Sequence, residues 1–342
     1  MKSTILYIGS LNIHSNAYRR FSALKSMGNI VTGVDIDSFI YKGAFIKFHH
    51  HLNFGPGILA LNKEILGAVK KKVPDIIWVD NRTFLIESTL KKIQKTSPDI
   101  KIINLITDDA TGSLKYQWRL CLKTAKYYDF HFVQRSVNIP ELKKYGANRA
   151  ELCYRSYDPE FHRPVILSDS DKLKYKTKVG FIGTYEKDRE EYIAYLIKNG
   201  ITVTVTGDGW PGCSQWPFIK PYYKGPSIYG EPYIKTINGM DISLHFLRHE
   251  NRDEQDSRTF EIPACGVFML AEKTALHLSL FEDGKEAVFF DTKEELLEKI
   301  LFYMDNAAAR EKISNAGLAR CERSGYSHAE RLKEVLNKIT AI

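Results

Sequence analysis

Short apolar runs alternate with amphipathic stretches along most of the chain. The apolar runs predict buried strands, and the stretches between several of them, such as Ala17–Met27 and Thr83–Gln94, predict helices. In the first half the predicted strands are Ile5–Ile8, Ile30–Val34, Ile76–Val79, Ile102–Ile106 and Phe130–Val133. In the second half they are Val179–Gly183, Thr202–Thr206, Ile242–Leu244, Val267–Ala271 and Ala287–Phe290. This order is typical of parallel sheets covered by helices on both faces.

The two alternations are separated by a polar, proline-bearing segment, Asp158–Lys178, which predicts a linker. A chain of 342 residues is longer than one hydrophobic core usually organises, so two domains are expected. We place a first Rossmann-like domain at residues 1–165, a second at 166–325, and a final helix at 326–342 that packs back toward the first domain.

Composition narrows the class of protein. Hydrophobic residues make up 44% of the chain and aromatic residues 12%, enough for two cores. The N-terminal apolar run is too short for a signal peptide, and no run reaches the roughly 18 apolar residues that cross a bilayer. The five cysteines are widely spaced with no C-x-x-C pair, which argues against a disulfide framework and a zinc site. We therefore predict a cytoplasmic protein.

The net charge of +8 favours an anionic partner. Zinc-finger, RNP and KH signatures are absent from the sequence, so we expect no nucleic acid. The excess positive charge could bind a nucleotide substrate, or the inner face of an anionic membrane through a peripheral contact. Solvated helix faces are the alternative explanation of the lysine clusters.

Each half of the chain has glycine and hydroxyl residues at a strand end. Gly9-Ser10 follows the first strand, and Gly183-Thr184-Tyr185 follows the first strand of the second half. Gly207 follows the next strand, and Arg189 adds a cation nearby. Backbone N–H groups in such loops approach a phosphate closely, so we predict a phosphate site in the second half, with plain turns as the alternative. Neither loop is the G-x-G-x-x-G dinucleotide fingerprint.

A second cluster of polar residues lies on the helix predicted around Arg258 and Glu261, which a glycine stop and an apolar strand follow. A carboxylate at the mouth of a sheet can bind both hydroxyls of a ribose, and an arginine can bind phosphate. A capped surface helix with an incidental ion pair is the alternative.

Candidates for a general base lie in the first half. Asp108 and Asp109 follow a predicted strand, where adjacent like charges raise one pKa. A helix N-cap with a first-turn acid is the alternative. His14 follows the first glycine turn and is a second candidate base, or simply a loop histidine. Asp80-Asn81-Arg82 ends another strand and is a candidate for contacts with acceptor hydroxyls.

The order R-x-F-E-x-x-A-C-G from Arg258, then F-x-x-G-x-E-x-x-x-F from Phe281, then E-E-L from Glu294 resembles the C-terminal half of the CgeB-like glycosyltransferases, a branch of the GT-B nucleotide-sugar enzymes. The turn Gly207-Asp208-Gly209-Trp210 also matches that family's pattern. The resemblance implies an α/β, GT-B fold, with two Rossmann-like domains facing each other across a cleft. It also implies that Glu261 binds the donor ribose. The chain departs from the wider superfamily before Glu261, where Ser257-Arg258 replaces Phe-Gly and Asp253 and Glu254 lie near the position of a second acid.

The resulting prediction is a hexosyltransferase-like enzyme of EC class 2.4. It would transfer a sugar from a nucleotide-diphosphate donor to a glycan, a lipid-linked or another hydroxyl acceptor, as in polysaccharide biosynthesis. Residues 166–325 would bind the donor, and residues 1–165 the acceptor. The alternatives are a GT-B-shaped nucleotide-sugar epimerase and a non-catalytic binding protein for envelope or spore-coat assembly.

We expect neither a metal nor a cofactor. The three consecutive histidines from His49 to His51 cannot all face one ion from a regular helix or strand. Asp35-Ile36-Asp37 resembles the D-x-D metal motif of the other main glycosyltransferase fold, but it lies in the first domain, away from the predicted donor loops.

Overall fold

The computed structural model describes residues 2–41, 49, 52–82 and 84–341. Within these residues the chain forms two compact units. Unit 1 lies within Met1–Arg155, His249–Asp253 and His328–Ile342. Unit 2 comprises Ser156–Arg248 and Glu254–Ser327.

Each unit contains one six-stranded parallel sheet. The strands of unit 1 are β1 (Thr4–Gly9), β2 (Ile30–Asp35), β3 (Ile76–Asp80), β4 (Lys101–Ile106), β5 (Phe130–Val133) and β6 (Ala150–Leu152). The strands of unit 2 are β7 (Thr177–Ile182), β8 (Val203–Thr206), β9 (Tyr223–Gly225), β10 (Met240–His245), β11 (Met269–Glu272) and β12 (Val288–Phe290). The orders are β2-β1-β3-β4-β5-β6 and β12-β11-β10-β7-β8-β9.

Helices flank the strands in both units. Those before β7 are α1 (Asn16–Ser26), α2 (Asp37–Ile40), α3 (Pro56–Lys71), α4 (Glu87–Thr96), α5 (Arg119–Thr124), α6 (Asn138–Lys144) and α7 (Asp169–Tyr175). Those after β7 are α8 (Lys187–Lys198), α9 (Trp216–Ile219), α10 (Glu231–Asn238), α11 (Arg258–Ala264), α12 (Ala275–Leu280), α13 (Lys293–Asp305), α14 (Ala307–Arg323) and α15 (His328–Thr340). Short 3₁₀ helices are Lys115–Trp118, Ala125–Tyr127, Trp210–Gly212, Lys220–Tyr222 and His249–Asn251.

All of the strands predicted from apolar runs are present, with ends that differ by a few residues. The structure adds β6 and β9, whose three residues each are too short to carry a periodic signal. The segment predicted as a linker differs from the expectation, because all of it lies in unit 2 and it contains helix α7.

Each unit has its own hydrophobic core. In unit 1, the apolar face of α15 contributes Leu332, Val335 and Ile339 to the same core cluster as Ile5 and Phe130. In unit 2, residues of β7, β8, β10, α8 and α13 share one large cluster. Within the described ranges, no helix combines the length and the apolar character needed to cross a membrane.

Strand order fixes where each unit can bind a ligand. In unit 1 the order reverses at β1, which has β2 on one side and β3 on the other. In unit 2 it reverses at β7, between β8 and β10. Ligands of open α/β sheets bind outside the carboxyl ends of the strands at such a switch point. The relevant crevices therefore lie beyond β1 and β3, and beyond β7 and β10.

Candidate functional site

Two glycine loops meet at the carboxyl edge of the unit 2 sheet. Gly183 follows β7, and Gly207, with φ +149°, follows β8. A Cβ atom on Gly207 would lie 2.0 Å from the Gly183 carbonyl oxygen, so only glycine fits there. The buried Trp210 indole donates a 2.8 Å hydrogen bond to that same oxygen. The two predicted loops are therefore packed backbone to backbone.

Arg189, on α8, spans the switch point beneath these loops. Its guanidinium donates to the Thr184 carbonyl after β7 at 3.0 Å and to the Phe246 carbonyl after β10 at 2.8 Å. The residue is 2% exposed, and its Nε atom has no hydrogen-bond partner among the described residues. Burial, and then the neighbouring Arg258, lower the pKa of Arg189 to about 10. Arg189 is thus a buried cation that stays charged at neutral pH.

Arg258 opens helix α11 and adds a second cation. One of its guanidinium nitrogens lies 3.5 Å from the Asp256 carboxylate, which also accepts a 2.7 Å hydrogen bond from the Arg258 backbone N–H. The buried Nε atom of Arg258 has no hydrogen-bond partner within the described part of the chain. Burial by itself raises the pKa of Asp256, but nearby His245 and Arg258 outweigh it and hold that pKa well below its usual range. One carboxylate therefore sits beside two guanidinium groups.

A buried polar network supports Asp256. His245 ends β10, and its Nε2 lies 3.1 Å from Asp256 and 3.0 Å from the Thr259 hydroxyl. That hydroxyl also lies 3.0 Å from Nε2 of His277, whose Nδ1 donates to the Glu272 carbonyl. Burial lowers the pKa of His277 to about 4, so its ring is neutral. This network fixes the start of α11, from which Arg258 projects.

Glu261 lies one turn further along α11 and is 4% exposed. Its carboxylate accepts a hydrogen bond from the Tyr233 hydroxyl and lies 3.5 Å from Nε2 of His162. Burial, and then the charge of Glu261, raise the pKa of Tyr233 well above its usual value, so the phenol remains a donor. The carboxylate predicted to bind ribose is thus held by neighbouring side chains.

Thr184 and Tyr185 have structural partners at the same edge. Thr184 is exposed, and its carbonyl holds Arg189. The Tyr185 N–H donates to the Asp208 carbonyl, and its hydroxyl donates to Glu190 at 2.9 Å. The structure therefore brings the second-half candidates together at one sheet edge.

Asp109, in unit 1, is held in a dense cluster. Arg252 donates to both of its oxygens, at 2.6 and 2.8 Å, and Asn138 donates to one of them at 2.8 Å. Glu141 binds the same guanidinium at 2.8 Å. Burial by itself raises the pKa of Asp109, but the hydrogen bonds from Arg252 and Asn138 outweigh it and lower that pKa. The rise in pKa predicted for one of the two adjacent aspartates therefore does not fall on Asp109, whose pKa is lowered by the bound Arg252 and Asn138 side chains.

Asp108 and His14 are more accessible. Asp108 accepts a 3.0 Å hydrogen bond from Asn81 and lies 3.9 Å from Arg155. His14 is exposed, and within the described residues its ring makes no hydrogen bond and no ion pair. No hydrogen bond joins His14 to either aspartate in the described chain. The structure therefore does not assemble these candidates into one group.

The three residues at the end of β3, Asp80-Asn81-Arg82, have different environments: Asp80 is buried in an ion pair, whereas Asn81 and Arg82 lie at the edge of the sheet. Asp80 is 1% exposed and receives two 2.7 Å hydrogen bonds from Arg20 and one from the Tyr7 hydroxyl. Arg82 donates to Gln117 at 2.6 Å. Asp80 is thus a structural residue, whereas Asn81 and Arg82 line the edge of the sheet.

Two of the three consecutive histidines, His50 and His51, lie outside the described residues. The buried His49 ring has its Nδ1 3.1 Å from the Ile40 carbonyl, and its Nε2 accepts from the Gly57 N–H at 3.1 Å. Among the described residues, no group of three or more His, Cys, Asp or Glu side chains is placed to hold a metal ion.

Asp256, His245, Tyr233 and His162 were not predicted from the sequence. One signal was available: His245 is a polar residue at the carboxyl end of an apolar strand, the position that faces a ligand crevice. The other three residues lie at the site because of tertiary contacts, which no local sequence pattern predicts.

The chain resembles known proteins both in sequence and in structure. Residues 189–337 match a family model described as glycosyl transferase-like. The structure resembles that of Anabaena Alr3699/HepE in complex with UDP-glucose, with a TM-score of 0.65 and 14% identity, over 99% of this chain and 100% of that one. The chain has the GT-B fold. The predicted fold class is thereby confirmed.

Two further solved structures are similar to this chain. Sucrose-phosphate synthase from Thermosynechococcus elongatus matches with a TM-score of 0.65 and 10% identity, over 98% of this chain and 99% of that one. A glycosyltransferase from Rickettsia africae ESF-5 matches with a TM-score of 0.64 and 14% identity, over 99% of this chain and 98% of that one. No curated protein sequence matches the chain significantly.

Proposed function

We propose that this protein is a glycosyltransferase that binds a nucleotide-diphosphate sugar in unit 2 and transfers the sugar to a hydroxyl acceptor. The observation that carries the proposal is the Arg189–Arg258 pair. Two guanidinium groups lie at the switch point of a parallel sheet beside the Asp256 carboxylate, and each has a buried Nε that makes no hydrogen bond within the described part of the chain. A buried charged donor without an acceptor is costly unless an anion binds beside it. A diphosphate supplies that anion.

The chemistry follows from this charge. Transfer breaks the bond between the anomeric carbon and the diphosphate oxygen and forms a bond to the acceptor oxygen. Negative charge then grows on the departing nucleoside diphosphate. Arg189 is fixed in place by two backbone carbonyls, so it stabilises that charge without rearranging. Glycine at positions 183 and 207 lets the two loops pack closely beside Arg189. The N–H groups of these two glycines donate to the Thr206 and Gly225 carbonyls, at 2.8 and 3.0 Å, so the proposed phosphate contacts come from the guanidinium groups.

Glu261 is the proposed ribose ligand, in line with the resemblance to CgeB-like enzymes. The carboxylate is held by Tyr233 and His162, which fixes its orientation. A carboxylate in a set orientation binds a vicinal diol by two charge-assisted hydrogen bonds. UDP and UDP-glucose occupy the crystal structures of HepE, so uridine nucleotides are the first donors to test.

Three finer points stay predictions: membership of the CgeB-like branch, hexosyl transfer in polysaccharide biosynthesis, and a peripheral contact with an anionic membrane. For the acceptor, a glycan or a lipid-linked sugar remains proposed. An epimerase and a non-catalytic binding protein are the competing functions. Analysis of the products separates them, because only a transferase joins the sugar to a second molecule.

The test combines ligand screening with one variant. A thermal-shift screen with UDP-, GDP-, TDP-, ADP- and CMP-linked sugars identifies the donor, since a ligand bound only by the native state raises the melting temperature. With that donor, Arg258→Met is expected to lower kcat/KM by about 10- to 150-fold, the equivalent of one charge-assisted hydrogen bond. The loss should fall mainly on kcat, because the charge grows in the transition state.

The matched control is Arg163→Met. Arg163 is an exposed arginine of unit 2 whose guanidinium donates to the Glu160 carbonyl and makes no ion pair within the described residues. Its replacement should leave both affinity and turnover unchanged. Equal nucleotide-sugar affinity and turnover in folded Arg258→Met and wild-type protein would contradict the proposed site.

A further inference from the structure

Two histidines of unit 2, His245 and His277, take no part in the proposed phosphate contacts. Both rings are completely buried, and the hydroxyl of Thr259, in the first turn of α11, lies 3.0 Å from Nε2 of each. A hydroxyl group has one proton to donate and two lone pairs that accept. The direction of each hydrogen bond therefore depends on which of the two rings offers a lone pair to Thr259.

His277 sets this direction. Its Nδ1 lies 2.6 Å from the Glu272 carbonyl, which can only accept, so a ring proton is on Nδ1. None of the hydrogen bonds of the ring goes to a carboxylate, and burial lowers the pKa of His277 to about 4, so the ring is neutral at neutral pH. Its Nε2 then offers a lone pair alone. Thr259 must therefore donate its single proton to His277.

The remaining partners of the Thr259 hydroxyl must then be donors. One is the Asp256 backbone N–H, at 3.1 Å, and the other is Nε2 of His245, which must carry a proton. That Nε2 also lies 3.1 Å from Oδ1 of the Asp256 carboxylate, which accepts from the Arg258 backbone N–H at 2.7 Å. Two donors thus hold Oδ1, and Oδ2 faces the Arg258 guanidinium at 3.5 Å.

We propose that Thr259 is a positioning residue for sugar transfer, whose hydroxyl sets the orientation of the Arg258 guanidinium. It acts through the proton on His245 and the Asp256 carboxylate. Within the described residues, Asp256 is the one partner to which this guanidinium donates a hydrogen bond, so the way that carboxylate is held decides where the guanidinium points. The role in transfer rests on the proposed function, whereas the order of the protons does not.

A double-mutant cycle with the donor identified by thermal shift tests this role. Thr259→Val removes the hydroxyl and keeps the branched shape, so it is expected to lower kcat by about tenfold, with a smaller change in donor affinity. In a protein that already carries Arg258→Met, the same change should lower kcat by less than about twofold, because the positioned group is gone. Thr259→Ser, which retains the hydroxyl, should keep most of the wild-type turnover.

Thr124→Val is the matched control. Thr124 is a completely buried threonine of unit 1, and its hydroxyl donates to carbonyls of its own helix α5. Its replacement should leave kcat unchanged. Equal losses from Thr259→Val with and without Arg258→Met would show that the hydroxyl only stabilises the fold, and would overturn the proposal.

Nitrogen-15 NMR of the imidazole rings tests the order of the protons in the wild-type protein, so the result does not depend on whether a variant folds. At neutral pH, His277 should carry a proton on Nδ1 alone, and His245 should carry one on Nε2. A proton on Nε2 of His277, or none on Nε2 of His245, would contradict the proposal. Wild-type protein that transfers no sugar refutes the proposed function, and the role of Thr259 in transfer falls with it. Additive losses in a protein that does transfer sugar refute the role of Thr259 alone.

Discussion

At the scale of single residues, the sequence predicts which side chains lie at a strand end, but it does not predict which of them are buried or which partners they bind. Arg189 was expected as a cation near a phosphate, because it follows a glycine loop at a strand end. Its 2% exposure and its bonds to two strand ends come from packing. Asp109, a candidate base, likewise has its pKa lowered by contacts that come from packing. Its partner Arg252 lies 143 positions away in the sequence, and no local sequence pattern predicts such a pair.

Asp109→Asn is expected to act on stability. The change leaves Arg252 with Glu141 as its remaining carboxylate, so the free energy of unfolding should fall by about 1–3 kcal/mol. Urea denaturation measures this, with the exposed Asp99→Asn as control. A folded Asp109→Asn protein of unchanged stability that has lost the acid limb of its pH–rate profile would instead identify Asp109 as the base.

At the scale of elements, most of the fold could be predicted, because a buried parallel strand is a continuous apolar run. Such runs also fix where strands end, and hence which loops share an edge. This is why Gly183 and Gly207, in separate loops, could be assigned to one site. The approach of Gly207 to the Gly183 carbonyl could not be predicted, since it depends on the backbone angles of both loops.

Gly207→Ala tests that approach. The residue has φ +149°, and an added Cβ would overlap the Gly183 carbonyl oxygen, so the two loops must separate. A loss of about 1–3 kcal/mol in stability is expected, together with weaker nucleotide-sugar binding. Gly212→Ala is the control, because no atom lies within 4 Å of the Cβ it would add. Equal donor affinity in the two variants would show that the loop contact does not shape the site.

At the scale of the whole molecule, the two units differ in strand order and in the partners of their central arginine. Each sheet reverses its strand order at its first strand, and the helix that follows that strand carries a buried arginine. Arg20 in unit 1 is neutralised by Asp80, whereas the hydrogen bonds of the Arg189 guanidinium in unit 2 go, within the described residues, to two backbone carbonyls. This difference favours unit 2 as the site for a diphosphate. The sequence favours the same half through its two glycine loops and Arg189, and through the resemblance of the C-terminal half.

Each unit also buries a neutral histidine, so acid should destabilise both. Burial lowers the pKa of His131 in unit 1 and of His277 in unit 2 to about 4. Their unfolded pKa is about 6.5, so the unfolded chain binds more protons between these values, and stability falls as pH drops from about 6.5 to about 4. Each histidine should cost about 2 kcal/mol at about pH 5. Urea denaturation at neutral and acidic pH measures the loss, which His277→Gln should reduce. If His131→Gln and His277→Gln lose as much stability on acidification as wild type does, then other groups carry the acid sensitivity of this fold.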